Sequence, residues 1–583
     1  MPIIGLLYHK SLPMLCCIPL MIDRSKFLLL ILLYLLSLPG CEPVNDSASF
    51  LKDVTSQVGL NFKHEPGVDG SYFMPESIGA GVALFDYDND GDLDIYLING
   101  NYHNRQRNQA SPENQLYRQE ANGIFLNATD ESGLGDTGYG MGVAVGDIDN
   151  DGDLDVYVSN YGPDQLYMNN GDGTFQNITR KAGIDNPAWG CSVTFLDFDL
   201  DGYLDIYVTN YVNYDPSSVC MDRAGRPDYC GPDGFSGVPD VLYHNNGDGT
   251  FTDVSDASGI AKVASKGLGV VSADFNGDHL PDIYVANDGM PNHLWINQGN
   301  GTFKDLALEL GAALNEMGQA EASMGIALGD ADSDGDLDLF LTHLRTETNT
   351  FYRFSDQTVG FLDDTTPAGL AGPSLPYTGF GTGFFDYDQD GDLDLVVVNG
   401  RVTRGPLLVK TNNPDYWDDY AEPNFLFENK GNGRFENISH LVPEFSQVIE
   451  NSRGLAFGDM DNDGDVDLLV TNEGGLARLF KNEYPRKGHW LSIRAINPKL
   501  HRDAYGARIV TYINDKKIVR IIQPGYSYLS SNDVRAHFGL GTAARVDSIQ
   551  VIWPDGRLQT FKEVQADHFI TIFKGKNELF ITN

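Results

Sequence analysis

DYDNDGDLD, residues 86–94, decides the fold, because its pattern recurs along the chain. DIDNDGDLD begins at Asp147, DFDLDGYLD at Asp197 and DFNGDHLPD at Asp274. DADSDGDLD begins at Asp330, DYDQDGDLD at Asp386 and DMDNDGDVD at Asp459. Successive starts lie 61, 50, 77, 56, 56 and 73 residues apart. One supersecondary unit at that spacing, with variable insertions, is a propeller blade rather than a thin solenoid rung.

Each unit has the same layout. A short apolar strand with small residues, such as GMGVAVG at 140–146, precedes the acidic loop. An alternating strand (DVYVSN, 155–160), an aromatic one (QLYMNN, 165–170), a GDG turn and a fourth strand (TFQNIT, 174–179) follow. Four strands joined by Asn/Gly/Asp turns predict one antiparallel sheet. FLKDVTSQVGL, residues 50–60, matches the fourth strand of a blade whose first three come last, ending in ARLFKNE at 477–483. That overlap would close a ring and remove exposed sheet edges. The predicted fold is all-β: a seven-bladed β-propeller over 50–485, then a small β-rich domain over 488–577.

Positions 1, 3, 5 and 9 of every loop are Asp or Asn. They are Asp86, Asp88, Asp90 and Asp94 in the first loop and Asp147, Asp149, Asp151 and Asp155 in the second. The third has Asp197, Asp199, Asp201 and Asp205; the fourth has Asp274, Asn276, Asp278 and Asp282. The fifth has Asp330, Asp332, Asp334 and Asp338; the sixth has Asp386, Asp388, Asp390 and Asp394. The seventh has Asp459, Asp461, Asp463 and Asp467. Converging carboxylates repel unless a cation lies between them. Hard oxygen ligands plus a backbone carbonyl at position 7 suit Ca²⁺, so up to seven Ca²⁺ ions are expected. Mg²⁺ prefers fewer protein ligands, and no Cys/His set points to zinc. Position 12 of the first loop is Leu97 where an EF-hand needs Glu. Position 6 is Gly except for His279, so the fourth site is expected to be the most altered.

The net charge of −42 argues against nucleic acid as a partner, because phosphate binding needs clustered Lys and Arg. A hydrophobic fraction of 41% excludes a disordered acidic tail. The D-x-D-x-D-G-x-x-D loops, with G-x-A strands before them, resemble the FG-GAP/VCBS repeats of the integrin alpha propeller. NNGDGTF followed by V/I-T and Gly is closer to the cartilage acidic protein family and its bacterial relatives. In residues 488–583, 13 Lys/Arg outnumber 8 Asp/Glu. Segments DAYGARIVTYI, QPGYSYLSSND, AHFGLG and VDSIQVIWPDG there resemble the ASPIC/UnbV domain. Arg508, Tyr526, Tyr528, Arg535 and Trp553 form either a ligand surface or, for Tyr528 and Trp553, core. The basic module is also a candidate to dock on the acidic propeller.

Arg24 and Lys26 precede FLLLILLYLL and SLPGC, ending at Cys41. This pattern over 1–41 describes a signal peptide. LPGC resembles a bacterial lipobox, which would make Cys41 a lipidated first residue; an ordinary secretory signal or an uncleaved anchor is the alternative. Met21 would give a more ordinary start than Met1. Cys220 and Cys230 flank a Gly/Pro-containing loop; export would join them as a disulfide, and two unpaired thiols is the alternative. Cys191 is expected to be a buried thiol. No catalytic nucleophile, metalloprotease or phosphate-loop motif is present. His64, His103, His244, His293 and His343 fall near blade connections and would line one mouth. Inserts at 210–240 and 401–423, the second with Tyr416, Trp417 and Tyr420 beside carboxylates, would build a binding face or pack as a cluster.

The expected function is exported, non-catalytic binding or adhesion, with an extracellular protein or glycan as partner and membrane contact only through the lipid anchor. An enzyme acting on envelope polysaccharide from blade loops, or a purely structural envelope protein, is the alternative.

Overall fold

Seven four-stranded antiparallel sheets follow one another in the computed structural model. It describes residues 49–583 apart from 105–109, 356–359, 410–414, 486–487, 515 and 583. The segment read as a signal peptide, with Cys41, lies outside the described residues.

In blade 2 the strands run Gly140–Gly146, Asp155–Asn160, Gly162–Asn169 and Phe175–Asn177, from inner to outer edge. The inner strands are buried at every residue, as small and apolar side chains at both faces require. They touch in a closed circuit, each meeting the inner strand of the next blade, with blade 7 meeting blade 1. Glycine permits this approach: a Cβ on Gly325 would lie 2.1 Å from the Phe380 carbonyl oxygen of the next blade. In blade 7 the outer strand is Leu51–Asp53, paired with Arg478–Asn482, so the N-terminal strand closes the ring.

A second device ties the blades together. Asn169 of blade 2 donates its side-chain N–H to the Tyr87 carbonyl in the blade 1 loop, at 2.9 Å. Asn245, Asn297, Asn429 and Asn482 make the same bond to Ile148, Phe198, Ala331 and Tyr387 of the preceding blade. Gln119 of blade 1 reaches Met460 of blade 7 at 2.8 Å, so six of the seven seams carry the bond; blade 5 has Phe354 at this position. Each bond satisfies a buried carbonyl that an interblade seam would otherwise leave unpaired.

The C-terminal module has two sheets. Arg508–Ile513, Lys516–Ile521, Arg545–Ile552 and Leu558–Gln565 form one. His489–Asn497 anchors the other, pairing in parallel with His568–Phe573 and antiparallel with Ala536–Gly541. One buried apolar cluster runs from blades 2 and 3 into both sheets, so module and propeller share a core.

Candidate metal centres and their covers

In six of the seven loops the backbone wraps around the first carboxylate; in the fifth, both Asp330 oxygens are buried without a hydrogen-bond partner. Asp86 accepts N–H bonds from Asp90 at 3.0 Å and Gly91 at 3.1 Å. Asp94 accepts from Tyr87 at 3.1 Å and from Gln119 on the third strand at 2.8 Å. Positions 4 and 6 both sit in the left-handed region, for example Asn89 at φ 60° and Gly91 at φ 97°.

The fourth loop, expected to be the most altered, differs in side chains but not in path. It keeps the same wrap: Asp274 accepts N–H bonds from Gly277, Asp278 and His279 at 2.7, 3.1 and 3.0 Å. Here glycine occupies position 4 and His279 takes the left-handed conformation at position 6, with φ 69°. The substitution at position 6 therefore leaves the loop's path intact.

Carboxylate oxygens converge to within 4.8 Å in clusters that include Asp86/Asp88/Asp90, Asp147/Asp149/Asp155, Asp197/Asp199/Asp205 and Asp330/Asp332/Asp338. Asp88 Oδ1 and Asp197 Oδ1 are buried without a hydrogen-bond partner. Burial, and then the neighbouring carboxylates, push Asp147 up to about 7. Burial likewise raises Asp86 to about 6, and Asp94 and Asp282 to about 8. Orphaned acceptor oxygens and carboxylates that resist ionisation are what a hard divalent cation would relieve.

The basic module covers this face. Arg535 donates to Asn462 Oδ1 at 2.7 Å and to the Asp459 carbonyl at 2.8 Å. Arg508 reaches the Gly335 carbonyl and His537 the Gly464 carbonyl. Arg502 bonds Asn150 Oδ1 at 3.0 Å and the Gly202 carbonyl at 3.1 Å. These contacts fall on positions 4 and 6 and on the carbonyl of position 1. They leave most ligand carboxylates free; Arg502 beside Asp197 Oδ2, at 3.3 Å, is an exception.

From the same module, residues 523–532 enter the central channel and bond to the inner strand of every blade. Ser531 pairs with Val82 and Leu84 of blade 1, and the Leu529 carbonyl accepts from Val143 of blade 2. Blades 3 and 4 are met by Leu529 N–H on Ser192 Oγ and by Gln523 on the Ser272 carbonyl. Ser527 pairs with Ile326 of blade 5 and accepts from Thr382 of blade 6; Asn532 accepts from Phe457 of blade 7. Tyr528, fully buried at the tip, donates to the Ile78 carbonyl at 3.0 Å and packs on Phe380. The expected ligand surface on the module therefore faces inward. Tyr528 and Trp553 are core, Arg508 and Arg535 hold acidic loops, and Tyr526 packs on Phe457.

At the opposite mouth the two inserts meet. Asp228 accepts from Tyr420 Oη at 2.7 Å and from Arg404 N at 3.0 Å. Tyr229 stacks on Trp417. Cys220 and Cys230 are joined as a disulfide, and Cys191 is a buried free thiol. Beneath this cover lie ionisable groups that sequence reasoning missed. Arg453 is fully buried over the Phe380 ring, donating to the Ser77, Ser452 and Arg401 carbonyls. Burial first, then the field of Asp69 and Glu473, pushes Glu76 up to about 8 against the bond it accepts from Tyr229. Arg453 had a signal: it is the charged residue in the buried inner strand Ser452–Gly458.

The five histidines do not line one mouth. His244 sits at the acidic face, 3.0 Å from Asp199. His64 faces Glu473 at 3.2 Å while its Nε2 accepts from Gly100. His103 stacks on Phe73, His293 bridges Ser265 and Asp305, and His343 bonds Ser323.

An FG-GAP-like repeat profile matches residues 86–158, 147–208, 221–285, 274–341 and 411–470. An ASPIC and UnbV profile matches 497–579. The chain is 26% identical to cartilage acidic protein 1 of Mus musculus over 364 residues, 59% of this chain and 52% of that protein. It is 25% identical to the Xenopus tropicalis protein of that name over 510 residues, 83% of this chain and 72% of that one. The match thus spans about half the length of the mouse relative. Among solved structures, YCF48 bound to D1 peptide aligns with a TM-score of 0.38 and 9% identity, over 71% of this chain and 96% of that one.

Proposed function

Because this chain belongs to the FG-GAP-like repeat family and carries an ASPIC and UnbV match near its end, we infer that it is an exported, calcium-stabilised propeller. It acts by binding a protein or glycan outside the cell, not by catalysis. The observation that carries the calcium assignment is the set of buried, unpartnered oxygens, Asp88 Oδ1, Asp197 Oδ1 and both of Asp330, inside three-carboxylate clusters. In a loaded loop, positions 1, 3, 5 and 9 would hold the ion, with the carbonyl of position 7. The ion would neutralise the clustered charge and hold the loop's wrap. At millimolar calcium and site affinities of ~10⁻⁴–10⁻³ M, each site would add roughly 0.4–1.4 kcal/mol.

The Cys220–Cys230 disulfide supports export, since such bonds persist in oxidising compartments. Lipid anchoring through Cys41 belongs to the same proposal. The face assigned to a ligand is the insert side. A cleft of about 550 Å³ lies there, lined by Tyr161, Trp189 and Tyr214 with the exposed Asn213 and Ser236. Aromatic faces beside polar side chains suit a sugar or a peptide.

One observation favours a polysaccharide-acting enzyme instead: Glu76, held protonated by burial, lies in the field of Glu473, as an acid and a carboxylate would in a glycosidase. Both side chains are sealed from solvent under the inserts, which favours binding. Glycan and protein arrays with the full chain, beside turnover of a polysaccharide panel, separate the two. Saturable binding that Tyr161→Ala abolishes supports the binding role. Polysaccharide cleavage that Glu76→Gln abolishes would replace it with the enzyme.

A further inference from the structure

The acidic loops look equivalent when aligned, but the third strands beside them differ in charge. The residue just before the blade-to-blade asparagine, or its equivalent, is Arg118, Met168, His244, Ile296, Arg353, Glu428 and Lys481 in blades 1 to 7. In two blades this residue puts a permanent positive charge on a ligand carboxylate.

In blade 7 the Lys481 ammonium contacts the Asp461 carboxylate at position 3 and lies 3.4 Å from Asp463 at position 5. It thus sits between two of the oxygens that a bound ion would gather. In blade 5 the Arg353 guanidinium is 3.4 Å from Asp332 at position 3, braced by Asp364 at 3.2 Å, but it leaves both Asp330 oxygens buried and unpartnered, so that site is not satisfied by the side chain. Blade 1 is different, although it also carries a cation. Arg118 turns outward to Glu120 at 2.7 Å and Glu131 at 3.6 Å. Blades 2 and 4 present the uncharged Met168 and Ile296. Blade 6 has an acid at this position, Glu428, which pairs with Lys430.

A side-chain ammonium or guanidinium relieves the repulsion between carboxylates that a divalent ion would otherwise have to relieve. It also opposes entry of that ion, because two cations would share one set of oxygens. The tether makes its local concentration far higher than that of free calcium.

We propose that Lys481 stands in for calcium in blade 7, so that this loop stays unloaded while loops without such a cation, as in blades 2, 4 and 6, bind the ion. This rests on the calcium assignment above and deepens it, by ranking sites that the repeat pattern makes look equal.

The test is calcium stoichiometry on the full chain, by equilibrium dialysis and elemental analysis at ~1 mM free Ca²⁺, in the extracellular affinity range. Lys481→Met is expected to bind one more ion than wild type. Met168→Lys places a cation in blade 2 and is expected to bind one ion fewer. The calcium-induced rise in melting temperature should grow in the first variant and shrink in the second. Equal stoichiometry in wild type and Lys481→Met, with bound calcium present, would overturn the proposal and leave the calcium assignment standing. No calcium bound by any of the proteins would overturn the calcium assignment, and this proposal with it.

Discussion

The two ends of the ring are both closed, but by opposite means. At the acidic face the cover is a separate basic module, whose cations reach backbone carbonyls and the position-4 side chains of the loops. At the other mouth the cover is made by the propeller's own inserts, through tyrosines, one tryptophan and a buried Asp228. The difference shows how an acidic surface can be covered without being neutralised. By donating mainly to carbonyls and amide side chains, the module leaves most ligand carboxylates available to a cation. The insert side has no such demand, and it buries the charged side chains Arg453 and Glu473.

The contrast breaks most visibly with pH in the absence of metal. The loop carboxylates have folded-state pKa values raised above the unfolded 3.8, to about 6 for Asp86, about 7 for Asp147 and about 8 for Asp94. A raised carboxylate contributes stability below its unfolded pKa, and that contribution is lost as pH rises through the folded value. Metal-free protein should therefore melt at a higher temperature at pH 5 than at pH 8. Saturating calcium should remove that loss. A calorimetric series showing the same fall from pH 5 to 8 with and without calcium would contradict the cation account.

The plug comes next in size. Tyr528→Ala should cost about 3–5 kcal/mol, as large buried aromatics do, with part of the loss in the channel bond to Ile78. Tyr528→Phe should cost only about 1 kcal/mol. Denaturant titrations giving near-equal losses for the two would show that the channel does not depend on the ring. The smallest expected effect is at the seam. Gln119→Leu should cost about 1–2 kcal/mol by leaving the Met460 carbonyl unpaired. Hydrogen exchange should show that loss where blade 1 meets blade 7, and a loss elsewhere would argue against the seam.

The repeats were legible because their spacing carries the physics: a fixed acidic loop between two strand patterns can only be one unit used again. Ring closure was legible for the same reason, since the strand at residues 50–60 supplies what the last repeat lacks. The seam asparagines stood in plain view in QLYMNN and its copies. Their role was hidden, because the carbonyl that each binds belongs to the preceding blade, 82 residues away for Asn169. The plug was less visible still. Ser531 pairs with Val82 and Leu84, and nothing in the local pattern of QPGYSYLSSND says that it threads a channel. The fourth loop keeps its path for a local reason. The glycine had moved from position 6 to position 4, and both positions are left-handed in every blade.

The central claim, that the acidic loops hold calcium and that the ion steadies the ring, is tested most directly by thermal unfolding of the full chain in calcium, magnesium and EDTA, with bound metal counted by elemental analysis. The account predicts a calcium-specific rise in melting temperature accompanied by several bound calcium ions per chain. The same melting temperature in calcium and in EDTA, with no bound calcium, would contradict it.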